Sequence, residues 1–295
     1  MRFQAFNRCN RYLKRRIESI VFTGYYKLIF KFGKLEYGLN KNQNREPKII
    51  VSLTSIPSRL DCIHLSILTL MRQTVKPDRI VLYLGIEKCE HIQLPQKLLR
   101  LKKYGLEIIY RSDLMPHTKY FYAITENPDS IVITVDDDIL YRNDLVELLM
   151  NSYTRYPKAI SCFRAKRIKT DATGALLPYD QWEPYCTSIK EPSLELVALG
   201  VEGVLYPPHC MPAEAFNLDA IRKYSLRNDD LWLKMMQLLS GTKVVRVPVK
   251  SNMKIEIMKA QKIALYKSNV NKGQNDLYIQ NIVSAYNIDI KKYIE

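Results

Sequence analysis

The 295-residue chain lacks any paired-cysteine pattern. Its six cysteines (Cys9, Cys62, Cys89, Cys162, Cys186 and Cys210) are scattered without a CxxC pair. That spacing fits reduced thiols in a cytosolic compartment and argues against a disulfide framework or a thiolate zinc site. It also lacks a run of about 18 to 20 uninterrupted apolar residues, so no segment reads as spanning a bilayer. The N-terminus has no clean apolar core followed by a cleavage site and does not read as a secretory signal. No GxGxxG or GxxxxGKS/T follows a strand-like run, which excludes the usual dinucleotide fingerprint and the P-loop.

What is present in excess is positive charge, a formal +15. Residues 1–48 hold 12 Lys/Arg against 3 Asp/Glu, and residues 243–295 hold 10 against 4. The 23 Lys/Arg that remain in residues 49–242 meet 23 Asp/Glu, so the basicity sits on the flanks of a neutral body. A nucleic-acid enzyme would carry positive charge along its central groove, and this partition argues against a nucleic-acid partner.

The first 38 residues interleave Arg and Lys with Phe, Tyr, Ile and Leu. Such a segment suits an anionic membrane surface, with cations at the headgroups and aromatics at the interface. A pair of amphipathic helices packed on the following domain, or a partner-binding arm, has the same periodicity. The polar run Asn40 to Lys48 then reads as a linker.

From Lys48 apolar strand-like and helix-like runs alternate. KIIVSLT is followed by helical spacing at Leu60, Ile63, Ile67, Leu68 and Met71. RIVLYL follows Pro77-Asp78, LEIIYR follows a helix that opens at Leu94-Pro95, and SIVITV follows a helix over His117 to Glu126. Repeated β-α units at this spacing predict a mostly parallel sheet flanked by helices. Ligands of such sheets bind beyond the carboxyl ends of the strands. Two stretches lie at such ends: Thr54 to Arg59 and the acidic triplet Asp136, Asp137 and Asp138. Three like charges at the mouth of a buried strand repel one another, and a divalent cation with oxygen ligands, Mg²⁺ or Mn²⁺, relieves that repulsion. The competing account is a solvated turn before a helix capped by Asn143.

The ordered set of IIVSLTS, LSILTLMRQTVKPDRIVLYL and the strand ending in VDDD resembles the nucleotide-binding half of a GT-A fold glycosyltransferase, similar to family 2 enzymes, over residues 48–250. The resemblance implies a nucleotide-diphospho-sugar donor, a saccharide or lipid-linked acceptor and a Mn²⁺ or Mg²⁺ cofactor. It makes Asp138 the first metal ligand and Asp136 the second, and turns Asp137 to the ribose or the sugar. Thr54 and Arg59 match the position that borders the base and diphosphate. Lys119 would add fixed positive charge near the leaving group, unless it is a solvated helix-face lysine. His117 either touches the diphosphate or caps backbone.

The second half would supply the acceptor side. LVALGVEGVLYPP resembles the glycine-bearing floor of the acceptor pocket, where Gly200 and Gly203 permit close backbone approach. Asn228-Asp229-Asp230-Leu231-Trp232 resembles the acidic motif heading a helix in inverting enzymes, with Asp230 as catalytic base and Asp229 beside it; helix capping is the competing account. Trp232, and less specifically Trp182, would offer sugar-stacking surfaces. The chain departs from the pattern in having Leu84-Gly85 where an Asp usually follows the second strand. It also has no histidine after His209 to serve a metal. Glu202 has no assigned part, and residues 268–286, with a helix capped by Asn275, could close as a lid.

The division expected is a basic arm over residues 1–47, a catalytic domain over 48–250 and a helical or lid segment over 251–295. The expected activity is metal-dependent, inverting sugar transfer in surface polysaccharide synthesis, peripheral on the cytosolic face of an inner membrane through residues 1–45. A nucleotidyl- or phosphotransferase on the same acids, or a non-catalytic sugar-binding scaffold, stands as the alternative.

Overall fold

The computed structural model describes residues 2–42, 44–249, 254–257 and 273–294. In chain order its elements begin with α1 (Arg2–Phe32), β1 (Ile49–Ser55), α2 (Ile63–Met71), β2 (Arg79–Gly85), α3 (Ile86–Cys89), α4 (Gln96–Lys102) and β3 (Leu106–Arg111). They continue with α5 (Thr118–Glu126), β4 (Ile131–Thr134), β5 (Ile139–Tyr141), α6 (Leu145–Arg155), β6 (Ile160–Cys162), β7 (Ala165–Arg167), β8 (Leu196–Ala198) and β9 (Val204–Tyr206). The chain closes with α7 (Leu218–Tyr224), α8 (Asp229–Ser240), β10 (Val244–Arg246), β11 (Lys254–Glu256) and α9 (Gln274–Tyr286).

The central sheet has seven strands in the order β10-β6-β9-β4-β1-β2-β3. Strands β4, β1, β2 and β3 are mutually parallel, with Ser52 opposite both Val81 and Thr134. β9 runs antiparallel to both of its neighbours, placing Val204 opposite Thr134 on one side and Cys162 on the other. The predicted mostly parallel α/β sheet is therefore what the sequence folds into.

Strand alternation explains why β1 is apolar throughout. Ile49, Val51 and Leu53 join a core cluster with Ile67 of α2 and Leu98 and Leu101 of α4, while Ile50 packs with Ala123 of α5 on the other face. Ser52, also buried on the α5 side, donates its hydroxyl to the Lys119 carbonyl at 2.5 Å. This bond ties the first turn of α5 to the middle of the sheet.

Three local expectations change. The basic arm is one helix of 31 residues, not a pair. It is fastened by Ser19, whose hydroxyl donates to the Glu256 carbonyl, and by Arg100, which donates to the Phe30 carbonyl at 3.0 Å. The polar run after it is not a loose linker: Asn40, Arg45 and the Ile49 amide all bond the Asp78 carboxylate. α6 is not capped by Asn143. Its buried first-turn amide at Val146 instead donates to the buried Gln73 side chain at 3.0 Å.

Candidate active site

The acidic triplet leaves β4 at the carboxyl edge of the sheet, as the alternating pattern predicts. Asp137 points inward, 4% exposed, and accepts from the Ser55 hydroxyl at 2.5 Å and Arg59 Nη1 at 2.6 Å. The Ser66 hydroxyl lies 2.9 Å from the Asp137 carbonyl and 2.7 Å from that of Ile139. The middle carboxylate is thus a brace for the turn, turned inward to Ser55 and Arg59 and away from the place by ribose or sugar that the resemblance gave it. Arg59 spans Asp137 and Asp138, reaching the latter at 3.3 Å. In β1 it is Ser55, not Thr54, that reaches the acids, because adjacent strand residues face opposite sides; Thr54 is half-buried on the α5 side.

Asp136 and Asp138 flank this brace. Asp136 is the most open of the three, its side chain 27% exposed, and its amide donates to the buried Tyr141 hydroxyl at 2.7 Å. Burial, together with the charges of Asp136 and Asp137, pushes the Asp138 carboxyl up to about 7.

Lys119 is not a solvated helix-face lysine. Its ammonium lies 3.0 Å from Asp136 Oδ1 and 3.4 Å from Asp229 Oδ2, with the side chain only 9% exposed. Burial opposes its charge, and Asp136, Asp229 and Asp230 outweigh that and hold its pKa well above the ordinary lysine value. This single side chain joins the end of β4 to the start of α8.

At that start Asn228 is the N-cap, accepting from the Leu231 amide at 3.0 Å, so neither aspartate is needed to cap the helix. Asp230 accepts from the Gly200 amide at 2.8 Å. A Cβ on Gly200 would stand 3.1 Å from both Asp230 Oδ1 and Lys119 Nζ, which accounts for glycine there. Burial and the neighbouring Asp229 charge push Asp230 up to about 8, while Lys119 and His117 offset burial and hold Asp229 below the usual carboxylate range.

Several sequence-predicted contacts move elsewhere. Trp232 and Trp182 are fully buried, their indole N–H groups donating to the Ala215 and Leu177 carbonyls at 2.9 and 2.8 Å. Both are core anchors with no face left for a sugar. Gly203 has φ +106°, and its open side meets Leu145 and Leu149, so it serves a turn over the core and no acceptor. His117 is buried between the Tyr120 hydroxyl at 3.0 Å and the Ser225 carbonyl at 2.8 Å. Asn275 does not cap the last helix; Gly273 does, and buried Asn275 accepts from the Asn228 side chain at 2.9 Å. The rest of the lid expectation, residues 268–272, lies outside the described residues.

Sequence reasoning passed over Ser55, Ser66 and Tyr141. Their signal was present, as small or phenolic hydroxyls inside otherwise apolar runs next to the acids.

The donor set suits a hard cation. Among the described residues Arg59 pairs with Asp137 and Asp138 and Lys119 with Asp136 and Asp229, while burial and the charges of Asp136 and Asp137 still drive the Asp138 carboxyl upward. Among the described residues no three His, Cys, Asp or Glu side chains converge on one point, so Asp138 and Asp136 would supply part of a coordination shell.

No protein-family profile matches the sequence, and comparison with curated proteins finds no relative. Among solved structures the chain is similar to a mannosyltransferase from Pyrobaculum calidifontis, determined in complex with GDP-mannose and Mn²⁺. The TM-score is 0.50 at 11% identity, covering 94% of this chain and 75% of that one. Residues 1–349 of TarS from S. aureus superpose with a TM-score of 0.45 at 13% identity, over 81% of this chain and 72% of that one. The fold is that of a glycosyltransferase.

Proposed function

We propose that the chain is an inverting, metal-dependent glycosyltransferase that moves a sugar from a nucleotide-diphospho-sugar to an acceptor hydroxyl. The observation that supports it most is the Lys119 bridge, which brings the Asp136–Asp138 turn and the Asp229-Asp230 helix head into one cluster at the carboxyl edge of the sheet. Inverting transfer sets a leaving diphosphate and an attacking hydroxyl on opposite sides of one anomeric carbon, and two acidic groups joined in this way suit those two tasks.

Asp230 is the base. Its other oxygen is held by the Gly200 amide, and its raised pKa matches removal of a hydroxyl proton near neutrality. The acceptor oxygen forms its bond to the anomeric carbon as the bond to the diphosphate oxygen breaks, and the hydroxyl proton passes to Asp230. Asp138 and Asp136 would hold Mn²⁺ or Mg²⁺, which would supply Lewis-acid stabilisation of the charge growing on the diphosphate. Arg59 and Asp137 keep the turn in shape, and Lys119 fixes Asp136 against Asp229.

The helix α1 suits work at a membrane. Leu13, Ile17, Ile20, Val21, Leu28 and Phe32 are all more than half exposed and fall on one arc of the helix, opposite the face that carries buried Ser19 and Phe30. Together with the basic charge of residues 1–48 this supports peripheral attachment to an anionic cytosolic leaflet, with a saccharide or lipid-linked acceptor in surface polysaccharide synthesis. Among the described residues no helix is long and apolar enough to cross a membrane.

The test is incubation with Mn²⁺ and a panel of UDP-, GDP- and CMP-linked sugars, GDP-mannose included, scored for nucleotide release. Nucleoside diphosphate release from one donor is expected. Release of monophosphate and pyrophosphate would indicate nucleotidyl transfer, and silence across the panel from folded protein would turn the reading toward a sugar-binding scaffold.

A further inference from the structure

A cleft of about 470 Å³ lies between α1 and α2, away from the acids and within the size range of small-molecule sites. Two packed helices ordinarily fill the space between them; here Gly24 faces the cleft, and a Cβ on it would meet no atom within 4 Å. On two of its lining residues the buried atoms Thr23 Oγ1 and His64 Nδ1 have no hydrogen-bond partner among the described residues, and His64 as a whole is 4% exposed. Buried polar atoms of this kind are normally satisfied, so their state points to a ligand. Lys27 and Lys97 stand at the rim, close enough to His64 to oppose its protonation. Neither forms an ion pair among the described residues, and the one carboxylate on the lining is exposed Asp61, which leaves the rim net positive.

We infer that this cleft binds one anionic phospholipid, its phosphate between Lys27 and Lys97 and its chain against Leu65 and Ile257. The wall is mostly apolar and, among the described residues, offers no Phe, Tyr or Trp on which a nucleotide base could stack. Ile20 belongs both to the cleft lining and to the exposed apolar arc of α1, so a lipid chain entering from that arc crosses no polar surface. The lipid is drawn from the bilayer on which α1 is proposed to lie, and the inference rests on that reading for its source. The cleft is also one hydrogen bond from the acids on each side: the Ile257 amide donates to the Asp138 carbonyl at 2.8 Å, and the Cys62 amide to the Arg59 carbonyl at 3.0 Å. A lipid seated here fixes the donor edge of the fold beside the leaflet.

The experiment uses the full chain and dihexanoyl phosphatidic acid below its micelle-forming concentration, titrated calorimetrically without a bilayer or a sugar donor. Saturable one-to-one binding is expected, weakened at least tenfold in a Lys27→Ala/Lys97→Ala variant and abolished in Gly24→Leu. The latter fills the cleft at a position with open room and improves helix propensity, so its fold and melting temperature should be retained. Dihexanoyl phosphatidylcholine and inorganic phosphate form the control arms, and neither should compete at equal concentration. Absence of phosphatidic acid binding, binding undiminished in Gly24→Leu, or equal competition by inorganic phosphate would each overturn the inference. Because no vesicle or nucleotide sugar is present, this outcome is separable from failure of membrane docking or of sugar transfer.

Discussion

The ammonium of Lys119 stands 3.0 Å from the carboxylate of Asp136. Its second neighbour, Asp229, lies far along the sequence and makes it the shared counter-ion of the β4 end and the α8 head. Removing one partner of such a buried group leaves charges with no compensation. Lys119→Met is expected to lower stability by about 3–5 kcal/mol and to abolish transfer, as read by thermal melting and nucleotide release. An unaltered melting temperature would show that the carboxylates do not depend on it.

Asp230→Asn keeps an oxygen for the Gly200 amide and should leave the fold intact, while turnover falls by about 10²–10⁴. In the wild type the rate should rise with pH toward a plateau above about 8, the value to which burial and Asp229 push this carboxyl, because only the ionised form takes a proton. The variant should lack that rise. A variant that retains the rise would assign the base elsewhere.

The same group makes stability pH-dependent in a stated direction. With its folded pKa raised above the ordinary 3.8, the folded chain holds this proton more tightly than the unfolded chain. Its contribution is full below about 4 and is lost as pH climbs through about 8. Asp230→Asn should therefore flatten the fall in melting temperature between pH 6 and 9; an unchanged slope would assign the fall to other groups.

Within the triplet the roles should separate. Asp138→Asn should remove the Mn²⁺-induced rise in melting temperature while leaving the metal-free fold in place. Asp137→Ala removes the shorter of Arg59's two carboxylate contacts and the acceptor of the Ser55 hydroxyl, and should destabilise the metal-free protein by several kcal/mol, in keeping with loss of a buried charge partner. Equal effects on metal response and stability in both variants would deny the division.

Trp232→Phe should lower the melting temperature through loss of the indole bond to Ala215, yet leave the acceptor KM unchanged. A raised KM with unchanged stability would restore the stacking role that its burial removes.

The sheet was legible in the sequence because β1 to β4 are long apolar runs separated by helical spacing, and those patterns come from burial on both faces. The acidic pairs were legible for a related reason: charge next to buried strands and at a helix head is costly without a task. The tryptophans were misread because an indole beside an acid looks the same in sequence whether its ring faces a ligand or the core. Lys119 could not be read either way. Its burial is set by Asp229, more than a hundred residues later, and no local pattern records such a partner. Asp137 shows the limit within three residues: equivalent in sequence to its neighbours, it turns inward because Ser55 and Arg59 meet it there.

The antiparallel run of β9 between β4 and β6 has a consequence for how this fold can be altered. The residues that enter β9, Gly200 among them, arrive at the same edge where β4 leaves, yet they come from a separate excursion of the chain through β7 and β8. That excursion is a cassette: residues 164–203 could be exchanged or lengthened while β1 to β4 and their acids stay in register. Chimaeras cut at the two ends of that segment would test whether it carries acceptor choice in the proposed transfer.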